Sequence, residues 1–451
     1  MSLDHMTDLA APEAESSVEQ TADVERSTHV PAPAAPAAPA APAARGHAEQ
    51  RAFFQKKTAK AAEPADLPDI ERAADGVWHI RGFHEARAIL RGGDTKQAGF
   101  RADLIDRVSG AGNVPILYQE GKVHQQQRKQ TARFFTPKTV STDYRRLMET
   151  LADEQIADLK RERHADLSAL SLTLAVRVAS AVVGLTNSRI PGMHKRLDSF
   201  LSIELDGGEG KSGARRRLAR IKGMALSQMR VAAFFYLDVK PAIEARKRHP
   251  EEDVISHLIS LGYRDREILT ECITYGAAGM VTTREFISMA TWHMLDQPDL
   301  RARYLAADEP ERLDLLAEAL RLEPVVGHLF RRATSDIQLV TSAGETVTIP
   351  QGALIDLHIH AANTDERVTG EHPFALRPGR ALIGERPNPE LLSFGDGAHR
   401  CPGSYIALQE ADTFLQRLLA LDGLRMEHPP RLTWNDLVTG YELRDFPISL
   451  A

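Results

Sequence analysis

The chain has almost no cysteine: two residues, Cys272 and Cys401, in 451. Two cysteines cannot build a disulfide framework, and no Cys-x-x-Cys or Cys/His zinc spacing is present, so a small disulfide-stapled scaffold and a zinc finger are both excluded. Missing too is any apolar run approaching the roughly 18 residues that read as a membrane-spanning helix. The N-terminus, MSLDHMTDLAAPEAESSVEQ, has neither a basic nor an apolar region and does not read as a signal peptide. Nor is positive charge in excess. Lys and Arg number 56 against 62 Asp and Glu, a formal net charge of -6, which gives no reason to expect nucleic acid as the main partner. The basic run of Arg215, Arg216, Arg217, Arg220 and Lys222 reads as a solvated helix face. These absences predict a protein of the reducing cytoplasm without a membrane anchor.

What is present divides in two. Residues 1–65 are acidic and polar and then run into an Ala/Pro tract that starts at Pro31 and ends near Arg45. Proline at every third position denies helical hydrogen bonds and favours an extended tail, so this segment is expected to be disordered. Residues 66–451 are expected to form one catalytic domain, large enough to bury a substantial core. VWHIRGFHEARAIL (77–90) reads as a strand, a break at Gly82, and a helix. From Pro137 to about Leu295 apolar residues recur at three and four, with turns at Asn187, Pro191 and Gly207-Gly208, which predicts mostly helix. Strand signals cluster after Pro324: IQLV (337–340), TVTI (346–349) and ALIDLHI (353–359). The chain is therefore mainly α with a smaller set of strands.

The most informative segment is Phe394-Gly-Asp-Gly-Ala-His-Arg-Cys-Pro-Gly403. A cysteine that binds a metal does so as thiolate. Gly395 and Gly397 remove side chains and permit positive φ, so that backbone can lie against a flat ring. Pro402 and Gly403 are expected to open a helix, which sets Cys401 at a helix N-terminus, where free N–H groups and the dipole stabilise negative charge. Arg400 and His399 add positive charge or donors beside it. For a lone Cys-Pro-Gly, an inert buried cysteine would be the better reading; the ten-residue pattern overrides it.

That pattern resembles the haem-binding signature of the cytochrome P450 family, Phe-x-x-Gly-x-x-x-Cys-x-Gly, at Phe394, Gly397, Cys401 and Gly403. His399 matches a position whose side chain commonly meets a haem propionate in the family. Three further segments fall in the family's order. Glu318-Ala-Leu-Arg321, weak alone as an i,i+3 helix pair, resembles the buried Glu/Arg pair, with Arg377 as the expected third member and Arg380 as rival. His124 and Arg128, on one helix face at i and i+4, resemble the propionate clamp ahead of Phe135-Thr136-Pro137. Arg331 matches a later propionate arginine, with Arg332 as the neighbouring alternative. In Tyr275-Gly-Ala-Ala-Gly-Met-Val-Thr-Thr283, Gly279 costs a helix interior about 1 kcal/mol relative to alanine. Close helix packing would explain it. The segment also resembles the family's oxygen-activation motif, with Thr282 as the hydroxyl.

The resemblance spans about residue 69 to the end and implies a mainly helical, triangular P450-like fold with a smaller β-sheet region, enclosing one haem b (iron protoporphyrin IX). It implies Cys401 as the iron ligand, Phe394, Gly395, His124, Arg128, Arg331 and His399 as cofactor-binding residues, and Thr282 as the catalytic hydroxyl. It implies a monooxygenase that inserts one atom of O2 into a small organic substrate, as a monomer fed electrons by a separate ferredoxin or flavodoxin and its reductase. One departure stands out: the acid that usually precedes the threonine is Val281 here. Glu285, four residues on, is a substitute on the same face, or else faces solvent or pairs with a nearby base. The departure keeps open an atypical haem oxidation (peroxide-driven, coupling or nitration). A non-catalytic haem or ligand-binding protein is the third reading.

Overall fold

A computed structural model describes residues 57–58, 67–100, 102, 114–201, 213–384, 386–435 and 439–451. The chain divides into two units, residues 1–46 and 47–451, and every described residue belongs to the second. The Ala/Pro tract, the Gly207-Gly208 turn and the side chains of Arg215, Arg216, Arg217 and Arg220 lie outside what is described.

Helices dominate. Those that position the site are α1 (Phe83–Arg91), α2 (Gly121–Thr131), α3 (Arg145–Glu162), α4 (Leu167–Val183), α5 (Asp265–Gly276), α6 (Thr282–Asp296), α7 (Glu309–Leu322) and α8 (Ser404–Leu419). Their ends follow local chemistry. At α7, the Asp308 carboxylate accepts the Glu311 N–H at 3.0 Å, and Pro310 occupies the first turn, where a missing N–H has no cost. At α4, Gly184 takes φ of 97°, the left-handed cap that suits glycine. α4 is apolar on nearly all sides, as a central helix must be, and packs against α3, α5 and α6. Leu174, Val178, Ile287, Phe414 and Leu415 are fully buried there, each such side chain contributing on the order of 1.5–3 kcal/mol. Between α5 and α6 the chain makes one wide π turn, Ala277–Val281.

The strands are β1 (Ile70–Arg72), β2 (Trp78–Ile80), β3 (Thr95–Gln97), β4 (His328–Ala333), β5 (Ile337–Val340), β6 (Thr346–Ile349), β7 (Leu354–His358), β8 (Arg431–Asn435) and β9 (Gly440–Arg444), with shorter ones elsewhere. The main sheet runs β1-β2-β7-β4-β3. β2 and β7 are parallel, pairing His79 with Asp356; β7 and β4 are antiparallel, pairing His358 with His328. Ile80, Ile355 and Leu357 point into a second, smaller core with Phe83. β8 and β9 form a separate hairpin.

The expected strand, break and helix over 77–90 appear as β2, Gly82 and α1, and the three late strands as β5, β6 and β7. One boundary is corrected. Gly403 is the N-cap of α8, so Pro402 lies outside the helix and Cys401 sits two residues before the cap. No helix among the described residues is long and apolar enough to cross a membrane.

Candidate active site

The cysteine loop is closed by its own backbone. The Cys401 N–H donates to the Phe394 carbonyl at 2.8 Å, and the Gly395 N–H to that of Leu392 at 2.8 Å. Asp396 caps the Gly397 N–H at 2.7 Å and pairs with Arg87 and Arg91 of α1. Gly395 and Gly397 both adopt positive φ, 67° and 65°, as expected. Their uses differ. Gly395 lines a cavity. A Cβ on Gly397 would lie 2.1 Å from the Leu90 carbonyl oxygen, so that glycine lets the loop seat on the end of α1.

Cys401 opens onto a cavity of about 950 Å3. Burial pushes its thiol above the ordinary range; the Gly403 N–H and the charges of Arg128 and Arg400 pull the other way without winning. The helix-end argument from sequence therefore falls short on its own. A metal ion bound to the sulfur would favour the thiolate outright.

Every cofactor-binding residue expected from sequence lines this same cavity: His124, Arg128, Arg331, Phe394, Gly395 and His399. His124 and Arg128 project from α2 as expected. The His124 ring stacks on His399, centroids 4.1 Å apart. Burial, then the charges of His399 and Arg128, lowers His124 to about 4, so it is neutral at pH 7. Arg128 donates to the Arg400 carbonyl at 2.6 Å, which ties α2 to the cysteine loop. Arg331, not its neighbour Arg332, faces the cavity; Arg332 reaches the Gly352 carbonyl on the far side. Arg331 is buried, and its partners are neutral oxygens, of Gln97 and its own Phe330. Burial lowers it to about 10, against a weaker pull from Glu120. Glu120 is itself engaged, 2.9 Å from His399 and accepting the Gln97 N–H at 2.8 Å.

A buried guanidinium without a bonded carboxylate is a poor arrangement unless an anion completes it. The site thus offers a sulfur ligand and buried cations over one apolar-walled cavity. That donor set fits a flat, iron-bearing macrocycle with carboxylate arms.

Thr282 also lines the cavity, just after the π turn, and its hydroxyl donates to the Ala278 carbonyl at 2.5 Å. Single π turns are frequent at functional sites. Gly279 lines the cavity as well, and a Cβ there would meet Ala179 of α4 at 3.5 Å, an ordinary contact, so helix packing alone does not require glycine at this position. Val281 is buried and does not line the cavity. Glu285 does not replace the missing acid: it is fully buried, accepts the Leu443 N–H at 2.7 Å, and pairs with Arg284 and Arg444. It neither faces solvent nor reaches the cavity.

Glu318 and Arg321 form the expected pair, bidentate at 2.7 and 2.9 Å and buried. The third member is Arg380, whose guanidinium meets Glu318 at 3.1 Å; Arg377 contributes only its backbone N–H. The cavity walls include Phe100, Leu117 and Val326. Sequence reasoning missed Ala179, Val182 and Val183 of α4, Phe135, and Trp434 of β8. The signal in α4 was its all-round apolarity, which reads equally as core.

Comparison with known proteins agrees. The family model described as Cytochrome P450 matches residues 314–427. The biotin biosynthesis cytochrome P450 of Bacillus subtilis is 28% identical over 368 residues, covering 76% of this chain and 84% of that protein. The nocardicin C N-oxygenase of Nocardia uniformis is 28% identical over 392 residues, covering 82% and 88%. Among solved structures, P450BioI in complex with an acyl carrier protein bearing hexadec-9Z-enoic acid aligns with a TM-score of 0.67 at 24% identity, covering 85% and 95%.

Proposed function

Because this chain belongs to the cytochrome P450 family of oxidoreductases, we propose that it is a haem-thiolate monooxygenase inserting one oxygen atom of O2 into a small organic substrate. One observation carries the reading: Cys401, Thr282, the cations Arg128 and Arg331 and the imidazoles of His124 and His399 all face one cavity.

In this reading Cys401 binds the iron of haem b as thiolate, and Arg128, Arg331, His124 and His399 hold the propionates. When bound, the cofactor supplies the oxidising chemistry, favoured by thiolate donation. The chain's own residues do the rest. Arg128 and Arg331 neutralise the carboxylates with charge-assisted hydrogen bonds. The walls, Phe100, Leu117, Val182 and Val326 among them, exclude water and favour an apolar substrate face, while Thr433, Asn435 and Glu442 supply a few polar contacts. Thr282 presents a hydroxyl that passes a proton toward the cavity; its bond to the Ala278 carbonyl fixes where the oxygen sits. Reductant arrives one electron at a time from a separate ferredoxin or flavodoxin. A monomer working in the cytoplasm is part of the same proposal. The named relatives handle substrates as different as nocardicin C and a carrier-bound acyl chain, so the substrate is proposed only as a class.

A second reading has its own observation. Val281 carries no proton and Glu285 is committed to β9, which favours a peroxide-driven or coupling oxidation in the same cavity. Turnover tests both: product with a surrogate ferredoxin system supports the first, and product with peroxide alone supports the second. Cys401→Ala is expected to abolish the red-shifted absorption band of the reduced CO complex. Thr282→Ala is expected to leave that band and lower product formed per O2 consumed. Unchanged coupling would remove Thr282 from the mechanism.

A further inference from the structure

One face of the main sheet gathers histidines that nothing in the cavity chemistry uses. Side chains alternate along a strand, so His328 and Phe330 share a face of β4, and Asp356 and His358 share a face of β7. The register pairs His79 with Asp356 and His358 with His328, which brings all four polar side chains onto that one face. The opposite face carries Ile80, Ile355 and Leu357 into the smaller core and Arg331 toward the cavity.

Three atoms converge there. His79 Nδ1 lies 2.8 Å from His358 Nε2 and 3.2 Å from Asp356 Oδ2, and His358 Nε2 lies 3.2 Å from the same oxygen. Protons do not satisfy this triangle. If His79 donates to His358, the acceptor nitrogen has no hydrogen left for Asp356. If both nitrogens donate to the carboxylate, two N–H groups crowd side by side with their nitrogens only 2.8 Å apart. A cation over the triangle satisfies all three contacts with lone pairs. Ligand atoms about 2.1 Å from a metal stand roughly 3.4 Å apart in a tetrahedron and roughly 3.0 Å apart at right angles, and the spacings seen match the right-angled, two-histidine and one-carboxylate facial set. The two rings meet edge-on at 72°, which lets both lone pairs point to one centre. His328 Nδ1 sits 2.9 Å from Asp356 Oδ1 and 3.1 Å from Oδ2, an outer contact of the kind that orients a ligating carboxylate. Asp356 and His358 are largely buried, whereas His79 and His328 keep 23% and 34% of their side chains exposed, leaving a path for entry and a position for water.

We propose that this face binds one divalent first-row transition ion through His79, His358 and Asp356, with His328 steering the carboxylate. Imidazole with carboxylate suits Zn2+ and its neighbours rather than Ca2+ or Mg2+. Bound there, the ion cross-links β2 to β7, strands 279 residues apart in sequence. It is independent of the haem assignment.

The test uses untagged full-length protein, stripped with a chelator and dialysed against Zn2+, with elemental analysis for stoichiometry and calorimetry for affinity. One zinc per chain is expected in the wild type, weakened at least tenfold in His358→Ala and in His79→Asn. Circular dichroism confirms that the variants fold; if His358→Ala does not, His79→Asn, at a more exposed position, carries the comparison. Zinc-edge X-ray absorption is expected to show nitrogen and oxygen ligands at about 2.0–2.1 Å. Equal zinc uptake by wild type and folded variants, no uptake by either, or a sulfur ligand would overturn the proposal.

Discussion

Two groups of buried arginine treat their charge in opposite ways. Arg321, fully buried, is held bidentate by Glu318 and donates to the carbonyls of Asn363 and Pro373. Arg331, nearly as buried, finds only the oxygens of Gln97 and Phe330. The first arrangement is complete and belongs to the fold. The second is complete only with an added anion and belongs to the site. The lesson is that burial of a charge says little about its role until its partners are counted.

That contrast can be broken by substitution. Arg321→Leu removes the bidentate partner of buried Glu318, leaving it Arg380 and the Arg377 N–H, and orphans the carbonyls of Asn363 and Pro373; it is expected to cost roughly 3–5 kcal/mol, read as a fall in the urea midpoint, and a loss under 1 kcal/mol would erase the distinction. Buried charge of the opposite sign sharpens it. Glu271 is held at about 7 by burial, against the Ile116 N–H and Gln127, which lower it. Its folded value exceeds its unfolded one, so the native state binds the extra proton between about pH 4.5 and 7. Its contribution is therefore full below pH 4.5 and lost as pH rises through 7, up to about 3 kcal/mol. Glu271→Gln should flatten the stability-versus-pH curve over that window, with no flattening counting against a protonated Glu271. Arg331→Leu should leave the stability of the haem-free chain unchanged or higher and weaken haem retention by roughly ten- to a hundredfold, the worth of a hydrogen bond to a charged group. Haem transfer to an acceptor apoprotein measures it. Least of all, Glu120→Gln frees His399 and removes competition for Arg331, and haem retention should shift less than about fivefold, under roughly 1 kcal/mol.

How far these features were legible in the sequence depends on how local they are. β5, β6 and β7 were readable because alternation and flanking turns are local signals. The cysteine loop was readable because two glycines, a proline and a cysteine at fixed offsets restrict what the backbone does. The start of α8 was misjudged because proline before a cap and proline inside the first turn look alike in one dimension. Arg377 and Arg380 were not separable, since both lie in a coil segment where three residues reverse a side chain's direction. The commitment of Glu285 was hidden because its partners, Leu443 and Arg444, lie 158 and 159 residues away. The cluster on the main sheet was invisible for the same reason, its members spread from His79 to His358 on three strands.

The grip of Glu285 on β9 has a consequence for how the cavity responds to its contents. It clamps the hairpin that supplies Trp434 and Glu442 to the helix that supplies Thr282, as a bolt joins a lever to its axle. A guest could shift the hairpin relative to that helix only by breaking these buried bonds, so the two walls of the cavity are held at a fixed separation.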